Sequence, residues 1–197
     1  MTGLIVIGGL TACSLNVSGD GSMSGMNHDG TMHDSDTDTS RTSVDGEFSS
    51  TDIMFAQAMI PHHEQAIEMS ALAQTRTTNP EVLALAAKIT AEQDSELQQM
   101  AGWLSAAGVS DTDAGHMSHD MGEMGMLDEA QMTALAAARG AAFDKLYLKG
   151  MIQHHLSAID MAQMILGSAN AEVKMLGENV VSSQTAEIAQ MKTMLGE

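Results

Sequence analysis

This chain of 197 residues is short of several things, and each shortage narrows what it can be. Aromatic residues make up 3% of it, with Trp103 and Tyr147 the sole examples of their kinds. Strands favour β-branched and aromatic side chains, so this shortage, beside abundant Ala and 19 Met, predicts packed helices rather than a sheet. Basic residues number 8 against 26 acidic ones, a formal net charge of -18 at pH 7. Such a surface repels phosphate backbones and argues against nucleic-acid binding, while suiting a well-solvated protein or one that attracts cations. Beyond a short apolar run, Leu4 to Leu10, no stretch is long and apolar enough to span a bilayer. Cysteine occurs once, at Cys13.

The surroundings of Cys13 give it a meaning. Leu10-Thr11-Ala12-Cys13-Ser14 follows the apolar run with the small-residue pattern of a bacterial lipoprotein cleavage site, Cys13 being the lipidated residue. Lipidation would account for an otherwise unpaired thiol in an exported chain. No basic residue precedes the run, which departs from the usual signal pattern and points to a start further upstream. Residues 1–13 are thus expected to be a signal peptide. The mature protein is expected on a membrane lipid anchor, facing the periplasm or the outside of the cytoplasmic membrane.

Residues 14–48 hold mostly Gly, Ser, Thr and Asp and predict a disordered tether. Within it lie Met23, Met26, His28, Met32 and His33. Residues 109–127 have the same flavour, with His116, Met117, His119, Met121, Met124 and Met126. Thioethers usually fill gaps in cores, so methionines on polar segments suggest something to bind.

What the chain does have is a phrase written twice. Met59-Ile60-Pro61-His62-His63-Glu64-Gln65-Ala66-Ile67-Glu68-Met69 returns as Met151-Ile152-Gln153-His154-His155-Leu156-Ser157-Ala158-Ile159-Asp160-Met161. The likeness continues: Gln93, Glu96, Leu97, Gln99, Met100 and Leu104 are matched by Gln184, Glu187, Ile188, Gln190, Met191 and Leu195. Residues 49–108 and 128–197 therefore read as two copies of a helical hairpin, each burying its apolar face against the other. The expected fold is all-α, one four-helix bundle over 49–197 with a pseudo-twofold. Thr51-Asp52, Asn79-Pro80-Glu81, Asp128-Glu129 and Asn170-Ala171-Glu172 are start signals, the Asn-Pro pair placing a cap ahead of Pro at the first helical position.

At ~100° per residue, Met59, His62, His63, Ala66 and Met69 fall within roughly 120° of one helix face, and Glu68 points nearly opposite. Met151, His154, His155, Ala158 and Met161 repeat that face, and Gln93, Glu96, Leu97, Met100 and Leu104 share a stripe on the partner helix. Polar groups on a core-facing stripe must be satisfied by one another or by a metal. Imidazole suits copper, zinc, iron and nickel, and thioether favours Cu(I), which tilts the choice to copper, other transition metals staying open. Glu96 and Glu187 fit either of two roles, direct ligands or acceptors of a ring N–H behind the ligands. Against ligation stand a purely structural His–Glu–Gln network and ordinary core packing of the methionines, the reading preferred for Met100 and Met191.

Met-Ile-Pro-His-His-x-x-Ala-Ile-x-Met, followed by Gln-x-x-Glu-Leu-x-x-Met-x-x-Trp-Leu, resembles the bacterial DUF305 family over Ser49 to Leu195. The resemblance implies a ferritin-like helical bundle, export to the cell envelope and, for some members, copper binding linked to copper tolerance. It marks His62, His63, His154 and His155 as defining positions, with Met59, Met69, Met151 and Met161 beside them. Two departures stand out: Ser70 where Ala is usual, and Gln153 where the first copy has Pro61. The expected function is an envelope lipoprotein that binds copper, mainly Cu(I), for buffering, tolerance or delivery, and is not an enzyme. A dimetal oxidase is the enzymatic rival, weakened because no Glu-x-x-His lies at the His pairs. The other rival is a structural subunit of an envelope complex, with a protein partner or a second copy of the chain.

Overall fold

The computed structural model describes residues 47–109 and 125–197. Cys13, the tether up to residue 46 and the Met/His stretch 110–124 lie outside the described residues.

Among the described residues, four long helices and one short one form an all-helical bundle: α1 (Ser50–Arg76), α2 (Pro80–Ala106), α3 (Glu129–Ala137), α4 (Ala141–Ala162) and α5 (Ala171–Leu195). A 3-10 turn, Gln163–Ile165, extends α4. Local chemistry sets the boundaries. Ser49 caps α1 in a reciprocal box with Asp52, two residues ahead of the predicted start, satisfying amide groups that the first turn leaves without partners. Asn79 caps α2 ahead of Pro80, Asp128 and Gln131 box the start of α3, and Asn170 caps α5. The α-helical part of α4 ends at Ala162 and tightens into the 3-10 turn.

α1 packs on α2, α4 packs on α5, and α1 packs on α4 to join the two hairpins. Cross-contacts show that α1 and α4 run antiparallel: His62 meets Ser157, whereas Ser70, two turns later, meets Tyr147. Two apolar clusters result. One holds Met69, Ala73, Leu85, Ile89, Tyr147, Met151 and Met191; the other holds Phe55, Met59, Met100, Trp103, Met161, Ile165 and Val180. Along all four long helices the buried His, Gln and Glu residues fall between these clusters, so a polar layer crosses the middle of the bundle.

Two segments assigned to loops belong to the folded body. Phe48, placed at the end of the tether, is 6% exposed and packs its ring 5.9 Å from that of Trp103. Gln65 on α1 clasps Leu127, donating to its carbonyl and accepting from its N–H, both at 2.8 Å. Gly125 runs so close to α4, at a φ of 75°, that a Cβ there would collide with Ser157. No helix among the described residues is long and apolar enough to cross a membrane.

Candidate metal centre

The polar layer is built from each helix's central turn. α1 supplies His62 and His63, α4 supplies His154 and His155, and the helical period aims each pair inward, where all four are 0–1% exposed. α2 supplies Gln93 and Glu96, and α5 supplies Gln184 and Glu187. His63 Nε2 lies 2.6 Å from Glu96 Oε2, and His155 Nε2 lies 2.7 Å from Glu187 Oε2. A carboxylate can only accept, so Nε2 carries the hydrogen in both rings, and in the neutral imidazole the lone pair falls to Nδ1. Both Nδ1 atoms are buried and make no hydrogen bond to the protein. The carboxylates thus hold these rings from behind, as outer partners hold metal-binding imidazoles.

His62 and His154 lie across the junction of the hairpins with ring centroids 3.6 Å apart. His62 Nε2 contacts Ser157 Oγ at 2.9 Å, while its Nδ1 and both nitrogens of His154 have no hydrogen bond of good geometry. Both rings are held neutral. Burial foremost, then the neighbouring His63 and His155, bring His62 down from 6.5 to about 3. Burial foremost, then His62, His155 and His63, hold His154 well below 6.5, the backbone of His62 pulling slightly the other way. Neutral imidazole is the form that binds a metal.

Glu187 is the more engaged carboxylate. Its Oε1 accepts from Lys88 Nζ at 2.7 Å while Oε2 accepts from His155. Burial would raise its pKa, but hydrogen bonds from His155 and Lys88 outweigh it and bring the group from 4.5 to about 2. For Lys88 burial likewise opposes, and its bonds to Glu187 and Glu92 raise its pKa. A Glu187 with both oxygens occupied suits the orienting role better than direct ligation.

The structure brings all four histidines and both glutamates of the predicted set into one layer. Met59 and Met161 border it on one side and Met69 and Met151 on the other, each at most 4% exposed. Met100 and Met191 are buried in the apolar clusters, as expected. Sequence reasoning missed Lys88, Ser157 and the Ser70–Tyr147 hydrogen bond of 3.0 Å. The departure at Ser70 was the one signal available, and Tyr147 explains it. Among the described residues no three His, Cys, Asp or Glu side chains are grouped closely enough to hold an ion by themselves. The buried imidazole nitrogens without hydrogen bonds are the atoms that a cation could take, and the bordering thioethers are the other donors in the layer's vicinity.

Residues 52–195 match the family DUF305, described as a domain of unknown function. The chain belongs to the DUF305 family. A DUF305 crystal structure from Streptomyces coelicolor, described as a candidate secreted protein, shares 33% identity at a TM-score of 0.69, covering 75% of this chain and 93% of that one. A DUF305 fragment from Deinococcus radiodurans follows at 29% and 0.65, covering 75% and 97%. CopM in its Cu(II)-bound form is 32% identical with a TM-score of 0.62, and in its Cu(I)-bound form 29% and 0.58, each covering 73% of this chain and 94% of CopM. CopM is also known in silver-bound and apo forms. A short match, 41% identity over 64 residues, links the chain to uncharacterized protein L153 of Acanthamoeba polyphaga mimivirus; it covers 31% of this chain and 42% of that relative.

The DUF305 fold is therefore secure over both hairpins. A metal-binding role in this family has structural precedent in CopM, whose copper forms share the bundle.

Proposed function

We propose that this protein is an exported envelope lipoprotein, anchored through Cys13, that binds copper, chiefly Cu(I), and buffers or delivers it without performing chemistry on it. The observation that carries the reading is the pair of buried Nδ1 atoms on His63 and His155, left without partners while Glu96 and Glu187 fix the opposite ring nitrogens. A buried polar atom lacking its hydrogen bond costs about 1–3 kcal/mol, and several in one layer form a centre that gains by acquiring a cation. Bordering methionines select for softness, and the acidic surface favours cations in general. The copper and silver forms of CopM support the same choice of ion. His62, His63, His154 and His155 are the nitrogen donors, Met59, Met69, Met151 and Met161 the candidate sulfurs, and Glu96 and Glu187 the orienters.

Anaerobic titration of the metal-free protein with Cu(I) tests this. Tight uptake is expected, and His63→Ala/His155→Ala should weaken it at least tenfold while helicity by circular dichroism stays the same. An ion at 100 times its Kd should also stabilise the fold by about 2.7 kcal/mol. No uptake at micromolar protein, or uptake indifferent to the double substitution, would overturn the reading. One observation favours a second reading: the His–Glu bonds close without any ion, as in a structural polar layer. A melting temperature unmoved by added Cu(I) or by chelators is the outcome that layer requires.

A further inference from the structure

The four histidines are closed off from solvent, so a cation needs a way in. Clefts open on the described surface, and three of them differ in what they would offer a cation. One, of about 300 Å³, is lined by alanines with Ser70, Thr90, Gln74, Leu83 and the carboxylate of Asp94, and offers no sulfur. A second, of about 440 Å³, sets Lys145 and Lys149 among Glu81, Asp144 and Glu197 with Met194 beside them, and none of its lining residues hydrogen-bonds a histidine of the layer. The third, of about 350 Å³, is lined by Gly125, Ser157, Asp160, Met161 and Met164, and includes Ser157, the side chain in contact with His62.

We infer that this third cleft is the mouth through which a soft monovalent cation reaches the histidine layer, with Met164 and Asp160 as the outer capture pair and Met161 as the inner step. The inference rests on the copper-binding reading and adds a route to it. Residues 154, 157, 161 and 164 follow helical spacing, so they stack along one face of α4 and its 3-10 continuation. Along that face Met164 is 41% exposed, Ser157 is partly buried, and Met161 and His154 are 4% and 0% exposed. At the inner end Ser157 Oγ touches His62 Nε2 at 2.9 Å. A large thioether left in water gains nothing by burial, whereas at a mouth beside a carboxylate it offers a soft ligand where the field already concentrates cations. Gly125, pressed against Ser157, forms the opposite wall and needs its missing side chain to do so.

Met54 and Met175, 42% and 54% exposed, do not line the cleft and serve as controls. The experiment mixes metal-free full chain with Cu(I) held by a chromophoric chelator in a stopped-flow cell, and reads the rate and the final extent of transfer. Met164→Leu/Asp160→Asn should take up copper about tenfold more slowly than wild type, in the range over which steering alters association. Its final occupancy should be unchanged. Met54→Leu/Met175→Leu should load at the wild-type rate. The route is overturned if the cleft variant loads as fast as wild type, if the control variant slows equally, or if occupancy falls with rate, which would make these residues ligands. Wild type that takes no copper at all brings down the copper reading, and the route with it.

Discussion

The two hairpins place the same His–Glu pair in unequal surroundings. His155 and Glu187 have side chains 0% and 3% exposed, and Lys88 reaches across from α2 to clamp Glu187. His63 and Glu96 are 0% and 12% exposed, and among the described residues Glu96 carries no lysine or arginine. In the register that matches Glu96 with Glu187, the counterpart of Lys88 is the exposed Asn179. The ends of the bundle differ in the same way. Ser70 and Tyr147 hydrogen-bond at one end, while their counterparts at the other are Ala162 and Phe55, both apolar. The recurrence of the motif sets the layer; single substitutions around it decide how firmly each half is held.

Acid probes what the halves share and then what separates them. Unfolded, His62 and His154 titrate near 6.5, whereas folded His62 stays neutral down to about 3 and His154 is held well below its ordinary value. As pH falls from 6.5 towards 3, the unfolded chain takes up protons that the folded chain refuses. Stability therefore falls, each group contributing up to about 1.4 kcal/mol per pH unit, and above 6.5 neither contributes a slope. Glu187 acts with the same sign at lower pH, its stabilisation being lost as pH falls from 4.5 through about 2. Urea unfolding of metal-free protein at pH 7.5, 5.5 and 4.0 should show a drop of several kcal/mol by the last point, of order 1.4 per unit for each ring. A midpoint independent of pH would mean that the two facing rings are not held neutral.

The next effect in size separates the hairpins. Glu187→Ala strands the buried Nε2–H of His155 and frees Lys88, and should cost about 3 kcal/mol. Glu96→Ala strands the matching hydrogen of His63 beside a carboxylate site that water can reach, and should cost about 1 kcal/mol. Equal losses in chemical denaturation would erase the asymmetry. Smaller still is the clamp itself, half-exposed at Lys88: Lys88→Met should lower stability by under about 1 kcal/mol, and Asn179→Lys should add about 0.5 by installing the missing partner for Glu96. In a domain of this size 1 kcal/mol moves the melting temperature by about 2–4 °C, so differential scanning calorimetry resolves both signs.

Why some of this was legible in the sequence and some was not follows from distance along the chain. Helix starts at Asn79-Pro80, Asp128 and Asn170 are written in residues that touch within three positions, and period 3.6 suffices to put His62, His63, His154 and His155 on inward faces. The fold class and the membership of the layer are local or repetitive facts. Ser157 against His62, Lys88 against Glu187 and Gln65 against Leu127 join residues 62–99 positions apart. Their pairing depends on the antiparallel docking of α1 and α4, which periodicity within one helix does not fix. Phe48 read as tether because one aromatic at the edge of a polar run carries no period, yet Trp103 gives it a surface to cover.

The finest contrast lies at Tyr147, where burial foremost pushes the phenol up, so that it remains a neutral donor or acceptor for Ser70. Tyr147→Phe removes one partner and leaves the Ser70 hydroxyl, 2% exposed, without the bond; the loss should be about 1 kcal/mol. Ser70→Ala/Tyr147→Phe rewrites the pair as the Ala162 and Phe55 of the other end, removing both polar groups together. Because deleting both partners of a buried hydrogen bond can be nearly neutral, the double variant should recover most of what the single one lost. Recovery would show that the two ends are interchangeable solutions to one packing problem. A double variant less stable than Tyr147→Phe would show that the hydrogen bond fixes how α1 docks on α4.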